Sequence, residues 1–256
     1  MQINMEEESV LKIRIKFRKY GVMKFIGHLD MMRFFQKAIR MSDMDICYSE
    51  GFNPHPIMSF AAPLGVGITS DGEYMDLEVH TSASSSDAIR ALQAVMPEGI
   101  EITGYVRLDD RAKTAMSVVS AADYELWYKQ EYEMPAQLSD YEKLTQMLEQ
   151  FFTLQKEVLV TKKTKKSEKV MDLKQLVYDF QIQKPQEQYF NRPSFYMNVR
   201  TGSTDNVKPE LVMEAFLQFF DLTYDPFAMQ IHRKDVYETD ADGVLRSLLH
   251  AGKAVE

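Results

Sequence analysis

One order of strand-like and helix-like patterns occurs twice in this chain, about 110 residues apart. In the first copy, apolar and basic residues alternate from Leu11 to Arg18, the period of a strand with one buried face. A helix is predicted over 28–41, extended segments over 46–48, 57–62 and 73–80, a capped helix over 84–96, and a strand over 100–108. The first copy therefore has the order β-α-β-β-α-β.

The second copy predicts a strand over 124–131, a helix over 140–154, strands over 157–164 and 195–201, a helix from Pro209 to Phe220, and a strand over 229–237. This order is that of the ferredoxin-like split βαβ unit. We therefore predict an α+β fold of two tandem ferredoxin-like (βαββαβ) domains. The predicted boundaries are a disordered N-terminus at 1–10, domain 1 at 11–110, a linker at 111–122, domain 2 at 123–238, and a C-terminal appendage at 239–256 with a short helix over 244–250.

Composition removes several classes of protein. The chain has 256 residues, 45% hydrophobic and 27% charged, as in ordinary globular proteins, and no apolar run approaches the ~20 residues that span a bilayer. We expect a cytoplasmic protein without membrane contact. The single cysteine, Cys47, allows no internal disulfide, no multi-cysteine zinc site and no self-contained iron–sulfur cluster. No metal and no cofactor are expected.

Two polar segments resemble a known family: residues 25–30, Phe-Ile-Gly-His-Leu-Asp, and residues 48–56, Tyr-Ser-Glu-Gly-Phe-Asn-Pro-His-Pro, followed by Ser59-Phe60 and Pro63-Leu64-Gly65. Together they are similar to uncharacterised bacterial proteins described as radical-SAM-linked, a family of unknown function. The resemblance implies a separate radical SAM protein as partner. Because a radical SAM enzyme holds its cluster with three thiolates, this chain would be the companion and not the radical enzyme.

The polar residues of these segments predict a binding pocket made of His28, Asp30, Asn53 and His55. In a split βαβ unit, the first strand-to-helix turn and the loop after the second strand can lie at the same end of the sheet. A ligand or partner contact, a metal site and histidine acid–base chemistry are functional interpretations. The structural alternative is that His28 and Asp30 cap the helix, while Asn53 and His55 satisfy backbone groups of a proline-bent loop.

Two basic clusters are candidates for nucleic-acid contact. The formal net charge of -8 argues against electrostatic attraction of nucleic acid to the whole protein surface. The candidate residues are Lys12, Arg14, Lys16, Arg18, Arg33, Lys162, Lys163, Lys165 and Lys166. If alternation holds, the first strand places its bases on the open face of the sheet. Asp76, Glu78 and Glu101 would share that face, so cross-strand pairs are expected to absorb much of its charge.

The sequence thus favours a non-catalytic accessory or recognition module that works with a radical SAM protein and presents an RNA substrate to it. One alternative is an RNA-processing or RNA-modifying enzyme with His28 or His55 as general acid or base, since tandem ferredoxin-like domains occur in CRISPR repeat-RNA endoribonucleases. Another is a scaffold for protein assembly only. The residues assign no catalytic group.

Overall fold

The computed structural model describes residues 10–163, 168–202 and 205–256, so residues 1–9 of the predicted disordered N-terminus lie outside the described part. The chain divides into two compact units. Unit 1 contains the described residues up to Val119 together with Val236–Glu256, and unit 2 lies within Ser120–Asp235. Helices and mainly antiparallel strands confirm the predicted α+β class. Among the described residues, no helix has the length and apolarity needed to cross a membrane.

Unit 1 contains an antiparallel sheet with strand order β4-β1-β3-β2. The strands are β1 (Leu11–Lys19), β2 (Met58–Phe60), β3 (Thr69–Val79) and β4 (Ile100–Leu108), and the helices are α1 (His28–Met41), α2 (Ser85–Gln93) and α3 (Ala115–Val118). The predicted extended segment at 46–48 forms only isolated bridges, Ile46 with Val79 and Tyr48 with Pro56.

The alternation in β1 produces the core of unit 1. Ile13, Ile15 and Phe17 are buried, and Phe35 of α1 packs its ring 4.8 Å from that of Phe17. The predicted cap of α2 is also present, because the backbone N–H of Asp87 donates to Ser84 Oγ at 3.2 Å. One face of the sheet is therefore covered by helices whose apolar stripes the sequence already shows.

Unit 2 has the strand order β10-β5-β9-β8. Its strands are β5 (Val119–Tyr128), β6 (Leu159–Lys163), β7 (Glu168–Asp172), β8 (Val177–Gln186), β9 (Arg192–Arg200) and β10 (Met229–Thr239), and its helices are α4 (Ala136–Ser139), α5 (Tyr141–Leu148), α6 (Leu173–Leu176) and α7 (Pro209–Phe219). A π-helical turn, Glu149–Thr153, follows α5. Phe151, Phe180, Phe195 and Phe216 meet edge-on or tilted in the core, with ring centroids 5.4–6.4 Å apart.

The prediction for the second sheet strand of this unit is wrong. Residues 157–164 were expected to join the sheet, but β6 pairs with β7 in a separate two-stranded sheet. The place beside β9 belongs to β8, for which the sequence predicts no strand. Pro185 and the several glutamines in 181–188 weaken the strand pattern of this segment in the sequence. The structure accommodates them because β8 is an edge strand, and an edge position tolerates proline.

The C-terminal residues 239–256 add β11 (Leu245–Ser247) and β12 (Gly252–Lys253) to unit 1. β12 pairs with β4, and β11 pairs with the last residues of β10. The short helix predicted over 244–250 is wrong: a 3-10 turn occurs only at Leu248–Ala251.

Glu125 on β5 connects three elements of unit 2, and its charge is expected to stabilise the fold. Its carboxylate accepts from Lys234 Nζ at 2.7 Å and from the Tyr189 hydroxyl at 2.5 Å. Burial raises the pKa of Glu125, but the hydrogen bonds from Lys234 and Tyr189 outweigh burial and leave the pKa below its usual value. A carboxyl group with a lowered folded-state pKa stabilises the protein above its unfolded-state pKa of about 4.3.

We therefore expect Glu125→Gln to lower the free energy of unfolding at pH 7 by about 1–2 kcal/mol. The difference from the wild type should shrink as the pH falls below about 4.3 and through the folded-state pKa, because the wild-type carboxylate then takes up its proton. Urea unfolding of both proteins at several pH values between 7 and 3 measures this. A difference that stays constant with pH would contradict the assignment.

Candidate functional site

The first motif segment of unit 1 and the residues that follow the second one line a small cavity. His28 begins α1, Phe60 ends β2, and Pro63 and Leu64 belong to the following loop; all four line this cavity. The ring of His28 stands edge-on to Phe60 with centroids 5.4 Å apart. Parts of the chain that are far apart in sequence but share the family resemblance therefore meet at one end of the unit.

Two buried charged residues, Lys19 and Glu73, line the same cavity. Lys19 Nζ donates to the carbonyl oxygen of Ile26 at 2.7 Å, which ties the end of β1 to the turn before α1. Opposite charges in one enclosure offset part of the cost of removing each from water. Sequence reasoning missed both residues, although the two-residue period of β1 already places Lys19 on the face of Ile13, Ile15 and Phe17.

This cavity is too small to be a substrate site. Its volume of about 20 Å³ is close to the minimum that holds a single water molecule. The buried groups therefore fix the position of the turn and of His28, and contact with a larger molecule has to occur on the surrounding surface.

That surface carries exposed apolar side chains, which we call the docking patch: Val22, Phe25, Leu29 and Val66. Each is between 62% and 74% exposed. Val22 and Phe25 lie on the 3-10 turn Gly21–Phe25, and Leu29 follows on the first turn of α1. The N–H of Gly67 donates to the carbonyl oxygen of Lys24 at 2.8 Å, so the loop that carries Val66 lies against this turn.

The four residues predicted to form a pocket lie in different surroundings. Asp30 is exposed and pairs with Arg33 at 3.2 Å, and neither His28 nor Asp30 caps α1 through its side chain. His55 Nδ1 lies 2.8 Å from Ser49 Oγ and 3.4 Å from the carbonyl oxygen of Asn53. Within the described ranges, no hydrogen bond, ion pair or ring contact joins the His28 segment to the His55 loop.

Arg14 is not available to a nucleic acid, and this part of the prediction is wrong. Its side chain is 1% exposed and makes two bonds to the Asp76 carboxylate, at 2.7 and 3.0 Å. It also donates to the carbonyl oxygens of Leu248 and Lys113. The sheet face that alternation predicted to be wet is covered here by chain from residues 113 and 248.

The other bases of β1 are also engaged within unit 1. Lys12 Nζ donates to the carbonyl oxygens of Asp110 and Ala112, at 2.6 and 3.3 Å. Arg18 pairs with Asp71 and Glu101, which raises the pKa of its guanidinium, mainly through the hydrogen bond that Arg18 donates to Asp71. Lys16 Nζ lies 5.4 Å from the ring centroid of Tyr74. The expectation that acids on this face absorb part of its charge is confirmed by the pairs of Arg14 with Asp76 and of Arg18 with Glu101.

Lysines in and near the second basic cluster, residues 162–166, form hydrogen bonds with residues just before α7. Lys162 Nζ donates to the carbonyl oxygen of Asn206, and Lys169 Nζ to Asp205 at 2.6 Å. The hydrogen bond from Lys169 lowers the pKa of Asp205. Lys163 belongs to β6, whereas Lys165 and Lys166 lie outside the described residues.

A second cavity of unit 1, of about 300 Å³, lies beside Lys12 and is lined by residues 57–59 of the motif region. Two of its charged lining residues are engaged within the unit: Asp76 bonds Arg14 and accepts the N–H of Ala115 at 2.6 Å, and Lys12 donates to the carbonyl oxygens of Asp110 and Ala112.

These features define an α+β protein whose motif residues build a surface and not an enclosed reaction site. A family model described as "Uncharacterized protein conserved in bacteria (DUF2344)" matches residues 12–209. The chain belongs to this family.

No curated protein sequence matches the chain. Among solved structures, it is similar to a chain in the crystal structure of a Cbf5–Nop10–Gar1 complex, with 10% sequence identity and a TM-score of 0.46. The similarity covers 89% of this chain but 50% of that chain, so the protein spans half the length of this structural relative. A similarity at this level carries no argument about function.

Proposed function

We propose that this protein is a non-catalytic accessory and recognition module that binds a separate radical SAM protein in the bacterial cytoplasm. The observation that carries the proposal is the docking patch, because two of its residues, Phe25 and Leu29, belong to the segment 25–30 that resembles radical-SAM-linked proteins. Its four apolar side chains are exposed on one turn, on the helix start that follows it and on the loop bonded to it, and clustered exposed apolar groups are typical of protein interaction sites. The hydrogen bond from the buried Lys19 to the carbonyl oxygen of Ile26 holds the end of this turn in place before a partner arrives, which lowers the entropy lost on binding.

The geometry supports a protein partner more strongly than direct RNA binding. Binding to RNA phosphates needs cations that can exchange counterions for phosphate oxygens. Arg14 is buried, and Lys12 and Arg18 already contact groups of unit 1. Presentation of an RNA substrate therefore remains a secondary part of the proposal, which rests on the remaining lysines.

An activity of its own finds less support than an accessory role. The single cysteine, Cys47, is buried and cannot supply the three thiolates of a radical SAM cluster. In the described part of the chain, no group of three or more His, Cys, Asp or Glu side chains is arranged to hold a metal ion. His28 and His55 lie in different surroundings, so their use as an acid–base pair draws no support from their contacts.

We also propose that each unit is one ferredoxin-like repeat. Numbering the sheet strands within each unit gives 4-1-3-2 in both cases: β4-β1-β3-β2 in unit 1 and β10-β5-β9-β8 in unit 2. In each unit, a helical segment follows the first strand and another precedes the last, as the split βαβ order requires. The β6–β7 hairpin is then an insertion into the second repeat.

Co-expression with radical SAM proteins of the same bacterium tests the proposal. We expect one of them to co-purify with this protein, and we expect Phe25→Ser with Leu29→Ser to weaken binding at least about tenfold, because exposed apolar anchors carry most of the energy of such an interface. Phe227→Ser is the matched control, since Phe227 is 69% exposed but lies in unit 2. Nuclease treatment shows whether RNA bridges the two proteins.

A second pair of substitutions, His28→Ala with His55→Ala, tests the predicted recognition pocket separately. If only the His28/His55 variant lost binding, the partner would contact these polar residues and not the docking patch. Failure of the wild-type proteins to associate, or full retention by the Phe25/Leu29 variant, would refute the docking patch. Circular dichroism and thermal unfolding of each variant exclude loss of folding as the cause.

A further inference from the structure

Unit 2 contains a groove of about 560 Å³ between strand β6 and helix α7. One wall is the continuous segment 157–161, which includes the start of β6. The other wall is a stripe of α7 formed by Leu211, Ala215 and Phe219 at helical spacing, with Phe151 nearby. No residue of β7 lines the groove, so β6 presents its outer edge to it.

That outer edge has backbone groups available for hydrogen bonding. β6 pairs only with β7 among the described strands. The N–H of Leu173 donates to the carbonyl oxygen of Val158 at 2.9 Å, so Val158 faces β7. Because this direction alternates along an antiparallel strand, Leu159 and Thr161 direct their N–H and C=O groups away from β7 and toward the groove.

The charge of the groove indicates what could occupy it. Glu157 and Glu214 are its charged lining residues, and both are exposed. An extended segment with alternating apolar and basic side chains would place its apolar residues against Leu211, Ala215 and Phe219. The two glutamates at the groove favour a segment that carries basic side chains over one that carries acidic side chains. The chain's own first nine residues do not fit, because they carry three glutamates and no basic residue.

We propose that this groove binds an extended basic–apolar peptide segment of a partner protein, which adds as a strand to the outer edge of β6. Strand addition takes its affinity from main-chain hydrogen bonds and its specificity from the pockets that receive alternate side chains. An unprotected strand edge is the known requirement for this mode of binding. The site lies entirely in unit 2 and does not depend on the docking patch of unit 1.

A fluorescent hexapeptide of alternating lysine and valine tests the proposal with the full-length protein. We expect it to bind, whereas the matched peptide of alternating glutamate and valine should not. Thr161→Pro removes one outward N–H without breaking the β6–β7 ladder and should lower the affinity about tenfold. Val170→Pro is the control, because Val170 lies opposite Thr161 and its N–H faces the far edge of β7.

Glu157→Gln with Glu214→Gln should lower the affinity several-fold and reduce its dependence on salt, while leaving the strand edge intact. Equal binding of the two peptides, no binding of the lysine–valine peptide, or equal affinities of the Thr161→Pro and Val170→Pro variants would overturn the proposal. Concentration-dependent self-association that Thr161→Pro abolishes would also overturn it, because a second copy of the chain would then be the occupant.

Discussion

Replacing Asp76 with alanine is expected to lower the free energy of unfolding by about 3–5 kcal/mol, because it leaves the buried guanidinium of Arg14 without its counter-charge. Arg14 is 1% exposed, and the carboxylate of Asp76 accepts two of its hydrogen bonds. Asp76 also accepts the N–H of Ala115, so the substitution removes a third hydrogen bond. Urea unfolding followed by circular dichroism measures the loss.

Two controls separate a buried ion pair from a surface one. Asp71→Ala breaks the half-exposed pair with Arg18 and should cost less than about 1 kcal/mol. Arg14→Met combined with Asp76→Leu should recover much of the loss, because apolar side chains of similar volume remove the unpaired charge. If Asp76→Ala were no more destabilising than Asp71→Ala, Arg14 would have to reach water in solution.

Arg14 also shows how far the sequence predicts this fold. The alternation in β1 predicted its two faces and placed Asp76 on the face of Arg14, and the structure pairs these two residues. Its burial could not be predicted, because Lys113 and Leu248 cover it from positions about 100 and 230 residues away. The local periodicity of a strand determines which residues share a face. Whether that face is exposed to solvent depends on segments that are remote in the sequence.

The second repeat shows a different limit. Residues 157–164 have a strong strand pattern and do form a strand, but its partner is β7 and not the main sheet. β8 occupies the edge of the sheet with a weaker pattern, since five of its residues are Gln, Lys or Pro. Propensity thus predicted that a strand exists, but the choice of partner depends on tertiary packing that a single sequence does not display.

The candidate site was predictable in part. The motif residues indicated where to look, and His28 does line a cavity together with Phe60, Pro63 and Leu64. Nothing in the sequence separates His55 from His28, because the geometry of the loops determines which groups each histidine contacts. Lys19 and Glu73 could have been found by continuing the alternation of β1 and reading the residue opposite Phe17. The docking patch could not have been found in this way, because a sequence does not distinguish exposed apolar residues from core residues.

The substitution Gly99→Ala is expected to disturb the docking patch, although Gly99 is not one of its residues. Gly99 has φ +95°, and a Cβ there would lie 2.6 Å from the carbonyl oxygen of Tyr20 and 2.8 Å from Cγ of Met23. The N–H of Tyr20 donates to the carbonyl oxygen of Gly99 at 2.9 Å, so the backbone cannot move apart without losing this bond. Gly99→Ala should therefore combine backbone strain with a steric clash, about 2–4 kcal/mol in total.

Gly21→Ala is the matched control, because Gly21 begins the same 3-10 turn at φ +56° but has open space around its Cβ position. It should cost only the strain of the left-handed conformation, about 1 kcal/mol. Because the clash pushes on Tyr20 and Met23, which flank Val22, Gly99→Ala should also weaken binding of the proposed radical SAM partner more than Gly21→Ala does. Thermal unfolding and co-purification of the two variants measure both effects. Equal effects would mean that the close approach of Gly99 does not hold the turn that carries Val22 and Phe25.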